Sequence, residues 1–281
     1  MVTEDSGLGT VSALRRYPVK SMLGEDLPGS DVTLTGLAGD RVMALVDRQT
    51  GKVASAKSPR LWRGLLKLHA SLSGPAVKIT FPDGTAMTST DPEIDVVLSR
   101  FLGHLVTLAA VPPPGAELDR ADPEEVLRDG ISAKVRVESG KLGGAAPEGT
   151  FFDFAPLHLL STSALGRIAA QSPRGTAELE RYQPNIVIRT NAPGFAENDW
   201  LGRDLRIGPD LTIRVIARTP RCAIPTLEHG DLPRDPDALR VPAGHNRIRP
   251  VDALAAQPCA GVYAQVLRPG RIRLADTVRL A

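Results

Sequence analysis

Hardly any stretch of this chain runs long without a residue that interrupts regular structure, because 26 glycines and 24 prolines are spread through its 281 residues. Proline inside a helix removes a hydrogen bond and clashes with the preceding turn, so long helices are excluded over most of the sequence. Short β-rich runs fit between the breaks. From Val11 the chain reads V-S-A-L-R-R-Y-P-V-K, followed by V-T-L at 32–34 and R-V-M-A-L-V-D at 41–47, which closes on a Gln49-Thr50-Gly51 turn. Residues 77–80 and 86–88 face each other across Pro82-Asp83-Gly84, a sequence suited to a tight turn.

Helical spacing shows in few places. Ile94, Val97, Leu98, Phe101 and Leu102 fall on one helical face after a start signal at Asp91-Pro92-Glu93. A second helix is expected to enter at Ser161 or Thr162, both suited to N-capping, and a third over 176–182. The remaining strands are expected at 157–160, 185–189, 204–207 and 211–218. A C-terminal pair, 261–267 and 271–280, is expected to join at Pro269-Gly270. The fold class is therefore mainly β, a barrel with a few short helices plus a smaller N-terminal β-rich domain. Val111-Pro112-Pro113-Pro114-Gly115 and the polar run after it suggest an N-terminal domain over 8–115, a linker over 116–132 and a second domain over 133–281.

Bulk properties narrow the function. An apolar content of 42% supports a packed core, and a net charge of +2 with interspersed signs gives no continuous basic surface for nucleic acid. The first ten residues are polar and acidic, and no segment approaches the ~20 apolar residues that span a bilayer, so a cytoplasmic protein without a membrane partner is expected. Cys222 and Cys259 are the only cysteines and are read as free thiols.

Cys222 lies in R-T-P-R-C-A-I-P-T, just past an alternating strand that two prolines terminate. Arginines at −1 and −4 favour a thiolate, the form that ligates metals; the plain alternative is a small buried apolar residue. The five histidines are dispersed, with no paired spacing for a first-row metal, and His229 lies seven residues beyond Cys222. Two further clusters stand out. Tyr17-Pro18-Val19-Lys20-Ser21-Met22 sets a Lys-Ser pair into a strand pattern, and Gly36-Leu37-Ala38-Gly39-Asp40-Arg41 delivers an arginine from a glycine turn. Lysine, arginine and serine together can hold a phosphate, although a solvated strand end and an ordinary turn would read the same way.

These motifs recur in one order: V-K-S-M at 19–22, G-L-A-G-D-R at 36–41, Q-P-N-I at 183–186, E-N-D-W-L-G at 197–202, R-C-A-I-P-T at 221–226 and G-V-Y-A at 261–264. Together they resemble the MOSC proteins that carry an N-terminal MOSC β-barrel domain, the group that includes the mitochondrial amidoxime-reducing components. The resemblance implies a molybdenum-pterin cofactor whose metal is ligated by Cys222, the residue on which catalysis would centre; a soft thiolate suits such a metal. It further implies that Lys20, Ser21 and Arg41 meet the pterin phosphate or ring and that Asn185, Arg221 and Tyr263 complete the pocket. Phe154, Ala155 and Pro156 match a segment that lines the cofactor, there with hydroxyl side chains that this chain lacks. Gln183 stands where the amidoxime-reducing proteins carry arginine, and Pro220 where they carry serine.

The activity so implied is reduction of a small N-hydroxylated compound. With no flavin fingerprint and no cysteine cluster for an iron–sulfur centre, the electrons are expected from a separate donor protein, a flavoprotein, ferredoxin or cytochrome. The alternatives are a cofactor carrier or sulfur-transfer protein, and a barrel that has lost its cofactor.

Overall fold

Along Leu211–Pro220, Leu211, Ile213, Val215, Ala217 and Thr219 are buried while Arg214 between them faces solvent. That period of two belongs to a strand with one face on a core. In the computed structural model, which describes residues 7–281, seven such strands close into a barrel. Leu157–Ser161 runs parallel to Ile186–Arg189, which pairs with Gly7–Arg16; the ring continues through Thr277–Leu280, Asp204–Ile207, Leu211–Pro220 and Gln257–Arg268. Leu159 opposite Val262 then closes it. Closure leaves no unpaired edge around the ring. Its interior is filled by Val11, Leu14, Leu159, Ile188, Ile213 and Val262, among others. The first strand of the chain is thus a stave of a barrel built mostly from the C-terminal half. The opening polar segment lies, for its first six residues, outside the described residues.

The rest of the N-terminal half has its own core of Val19, Met22, Leu45, Leu65, Ile79 and Leu98. His69–Ser73, Ala76–Thr80 and Ala86–Thr88 form a three-stranded meander, with Lys78 opposite Thr88 as the Asp83-Gly84 turn requires. Ile94–Leu102 is a helix, ended by Gly103 at φ +71°, a left-handed cap that glycine adopts without strain. Ser161 caps the Thr162–Gln171 helix by accepting from the Ala164 amide.

Three expectations change. Residues 116–132 are structured: Glu117–Ala121 pairs with Val137–Lys141, and Pro123–Asp129 is a helix whose cap, Asp122, accepts from the Glu124 and Glu125 amides. Asp122-Pro123 is a helix-start signal, cap then N1 proline, that the surrounding polarity obscures. This insert is fastened to the N-terminal half by the Ala121 amide on the Lys57 carbonyl, and its Ala121 and Val126 pack on Ala223 beside Cys222. The helix expected at 176–182 is only the short 3-10 turn Leu179–Arg181, since Pro184 disfavours helical backbone just before it and Gln183 takes φ +49°. The stretch 271–280 is not the partner of 261–267. It divides at Ala275, φ +68°, into Gly270–Arg273, which pairs with Gly29–Thr33, and Thr277–Leu280, which enters the barrel.

Candidate active-site cleft

Cys222 sits where the Leu211–Pro220 strand leaves the barrel and the 3-10 turn Ile224–Thr226 begins. It is half-buried and lines a cleft. Arg41, Ala155, Gln183, Asn185, Arg221 and Tyr263 line the same cleft, so residues spread over 220 positions of sequence meet there. Lys20, Ser21, Phe154 and Pro156 lie behind it. The Lys20 ammonium donates to the Phe151 carbonyl at 2.8 Å and to Asp153 at 2.6 Å. Ser21 Oγ accepts from the Ala56 amide at 3.2 Å. Phe154 packs against the Tyr263 ring, centroids 5.4 Å apart, and Pro156 backs Gly36.

Backbone strain collects here. Four non-glycine residues among those described have positive φ, and Ser21, Arg41 and Gln183 are three of them. Such conformations cost of order 1–3 kcal/mol each and persist where the surroundings enforce them. For Gln183 the enforcement is visible: its side-chain Nε2 donates to the Met22 carbonyl at 3.2 Å, and its backbone carbonyl accepts from His158 Nδ1 at 3.3 Å. Asn185 braces the same strand pair, its Oδ1 accepting from the His158 amide and its Nδ2 donating to the Arg15 carbonyl.

Several cleft residues carry no family motif. Lys57, Arg120, Asp153 and His158 also line it. The Lys20 and Lys57 ammoniums grip opposite oxygens of Asp153 at 2.6 and 2.9 Å. Burial pushes the Asp153 carboxyl up, but the two lysines outweigh it and hold the group well below the ordinary range. Lys57 is lowered to about 8, chiefly by burial, with Arg120 and Lys20 adding to the effect and Asp153 opposing it. His158 is pushed well below its ordinary value by burial and then by Arg221, so the imidazole is neutral. Its partners set the tautomer: Nδ1–H faces the Gln183 carbonyl, and Nε2 accepts from Arg221 Nη1 at 3.3 Å. The histidine in the cleft is therefore His158. His229 is buried elsewhere, its Nδ1 on the Leu227 carbonyl.

Neither arginine near Cys222 donates to its sulfur among the described residues. Arg221 reaches the Tyr182 carbonyl at 2.8 Å and the Ala260 carbonyl at 3.3 Å, with its guanidinium 5.2 Å from the Tyr182 ring centre. Arg218 donates to the Arg249 carbonyl. Arg221 Nε is buried without a partner. Arg41 is held by Asp40, which also accepts from the Tyr17 amide, and lies 5.0 Å from the Tyr17 ring centre. Five cationic residues thus line the cleft (Arg41, Lys57, Arg120, Arg181 and Arg221) against the single carboxylate of Asp153.

The MOSC domain family matches residues 147–279 and the MOSC N-terminal beta barrel domain family residues 8–100. The chain carries a MOSC domain preceded by a MOSC N-terminal beta barrel domain. Over 97% of its length this MOSC protein is 22% identical to Mitochondrial amidoxime-reducing component 1 of Mus musculus, covering 82% of that protein. It is also 22% identical to Mitochondrial amidoxime reducing component 2 of Macaca fascicularis, over 96% of this chain and 83% of that one. Among solved structures, the YuaD protein from Bacillus subtilis aligns with a TM-score of 0.46 at 10% identity, covering 97% of this chain and 94% of that chain. No helix among the described residues is long and apolar enough to cross a membrane.

The cleft's charge has a pH signature. Lys57 is charged below about 8 and neutral above it, so the affinity of the cleft for an anion should fall as pH rises through that value. Sulfate keeps a constant charge over this range, and its calorimetric affinity should drop severalfold between about pH 7 and 9, a dependence that Lys57→Met flattens. Affinity that rises with pH would remove Lys57 from the anion site.

Proposed function

We propose that this MOSC protein is a molybdenum-cofactor-dependent reductase of N-hydroxylated compounds, with the Cys222 thiolate as the protein ligand of the metal. The observation that carries the reading is the cleft itself, where one thiol stands among five cationic residues and a carboxylate already neutralised by two lysines. A planar, anionic, thiolate-seeking cofactor fits this donor set. The buried Arg221 Nε, which has no protein partner, is a donor that such a ligand would satisfy. Arg41, Gln183, Asn185, Arg221, Tyr263 and the backbone at Ala155 would hold the cofactor from inside the cleft, with Lys20 and Ser21 supporting that wall from behind. When bound, the cofactor supplies two-electron redox chemistry next to the sulfur.

The relatives are named for amidoxime reduction, and that reaction suits what the side chains can do. Cleaving the N–O bond of R–NH–OH consumes two electrons and two protons and yields R–NH2 and water. The electrons come from a separate donor protein. Lys57, lowered to about 8, can hold a proton in the cleft at neutral pH and release it without a large penalty. Neutral His158 holds Arg221 in place and adds no charge of its own.

Elemental analysis for molybdenum, with oxidised-pterin fluorescence on the same sample, tests the reading first. Protein from a host that makes the cofactor should contain both near stoichiometry and should reduce benzamidoxime with a competent electron donor. A loaded protein that turns over no N-hydroxylated compound would instead be a carrier. Protein free of molybdenum from such a host would sink the proposal.

A further inference from the structure

The cleft has a neighbouring hollow. Lys57, Arg120 and Asp153 line both the cleft and this second cavity, whose remaining walls are Leu118, Glu138, Ser139, Gly140 and Lys141. All five belong to the Glu117–Ala121 and Val137–Lys141 hairpin. Arg41, Gln183, Asn185, Arg221 and Tyr263 line the inner cleft alone. The junction between the two hollows is therefore a separate place from the ring of residues around the inner end, and its charged edge is built by the insert.

Arg120 stands at this junction without a partner. Its side chain is exposed, and among the described residues it makes no hydrogen bond and no ion pair. The charged groups around it are otherwise engaged. Both oxygens of Asp153 are taken by Lys20 and Lys57. Asp119 is taken by Lys52 and Ser139. Glu138 lies opposite Arg120 in the hairpin register, yet no ion pair joins them. The lining of the second cavity is positive on balance, with Arg120, Lys57 and Lys141 against Glu138 and Asp153, and Asp153 is shared with Lys20 behind it. A guanidinium presents a planar fork of donors that a carboxylate matches at two points.

We infer that Arg120, with Lys57, forms a carboxylate-binding subsite at the outer end of the cleft, so that the N-hydroxylated substrate of this protein carries an anionic group. This rests on the reading under Proposed function. The inner end takes the reducible group beside Cys222, and the outer end holds the far end of the molecule. The hairpin insert thereby selects substrates by charge.

The test compares 4-carboxybenzamidoxime with its neutral carboxamide analogue on the cofactor-loaded full chain, together with calorimetric titration of benzoate against benzamide. The wild type should favour the carboxylate in kcat/KM. In Arg120→Gln that preference should fall about tenfold, through KM, which corresponds to about 1.4 kcal/mol of lost interaction. Arg120→Lys should keep part of the preference, and Glu138→Gln should increase it by removing the carboxylate that lies opposite Arg120 in the hairpin. Benzoate binding should weaken in parallel while benzamide binding shows no such loss. An unchanged preference in Arg120→Gln overturns the inference. So does a fall in pterin content without a change in preference, since Arg120 would then hold an anionic part of the cofactor. If the protein contains no molybdenum, the reductase reading fails by itself, and the benzoate titration still decides the subsite: Arg120-dependent binding supports it, and its absence overturns it.

Discussion

Replacing Cys222 by serine is expected, on the proposed function, to lower amidoxime turnover by more than about 100-fold, because changing even a residue that only hydrogen-bonds to a metal ligand typically costs 10–100-fold and this change would alter the ligand itself. The hydroxyl is nearly isosteric with the thiol but is a hard, weakly acidic donor in place of a soft thiolate. Cys222 is half-buried at the end of a strand, packed at the margin of the small cluster formed by Ala56, Leu66, Ile224 and Leu227. The fold should therefore survive, with Tm changed by no more than about 2 °C. Arg41, Gln183, Asn185 and Arg221 remain in place, so pterin content should fall far less than activity. Steady-state kinetics, molybdenum and pterin content and a thermal melt on one preparation read all of this. Full activity in the serine variant would show that the thiolate is not the metal's protein ligand.

Local pattern was readable in the sequence where one element carries its own signal. Alternation marks the Leu211–Pro220 strand, Asp83-Gly84 marks its hairpin, and the spacing from Ile94 to Leu102 with Gly103 after it marks the helix. What the sequence hid is pairing at long range. Nothing local in Gly7–Arg16 says that it inserts between Ile186–Arg189 and Thr277–Leu280, and nothing near Pro269-Gly270 says that the next strand pairs with Gly29–Thr33. Those choices follow from closing the barrel, which is a property of the whole chain.

The cleft divides the same way. Cys222, Arg41 and Arg221 stand in motifs that resemblance brings forward, whereas Lys57, Arg120, Asp153 and His158 do not. Two of these had a physical signal. Asp153 interrupts F-F-D-F and His158 interrupts L-H-L-L, and a polar group set in an apolar run must find partners when it is buried. Both do: Asp153 binds two lysines, and His158 lies between the Gln183 carbonyl and Arg221. Lys57 in A-S-A-K-S-P and Arg120 in the expected linker had no such mark. Their place depends on the insert folding back as a hairpin. The positive φ of Ser21, Arg41 and Gln183 is also invisible in residue type, since none of the three is glycine and the strain is imposed by their neighbours.

Arg181→Met should be the most destabilising single change near the site. Arg181 is fully buried, and its guanidinium ties together the chain on both sides of the cleft. Nε donates to Glu178 at 2.7 Å, Nη1 to the Leu227 carbonyl at 3.0 Å and Nη2 to the Pro233 carbonyl at 2.7 Å, which fastens the segment after Cys222 to the Leu179–Arg181 turn. Methionine fills similar space but leaves those carbonyls without a donor, and leaves Arg174, among the described residues, as the one remaining cation on Glu178 and Asp235. Removing one member of a buried ion pair costs about 3–5 kcal/mol, so Tm should fall by roughly 10 °C. The pH dependence gives a second check. Burial raises Glu178, but its bonds to Arg181 and Arg174 outweigh this and bring it from an ordinary 4.5 to about 2. A depressed carboxylate contributes stability that is full above its unfolded value and is lost as pH falls through the folded one. The gap between wild type and Arg181→Met should therefore be widest at neutral pH and should narrow as pH drops below about 4.5. Melts across that range would show it. A neutral-pH loss under about 2 °C, or a gap that widens in acid, would mean that the loop after Cys222 is held by packing and that the Arg181 network is incidental.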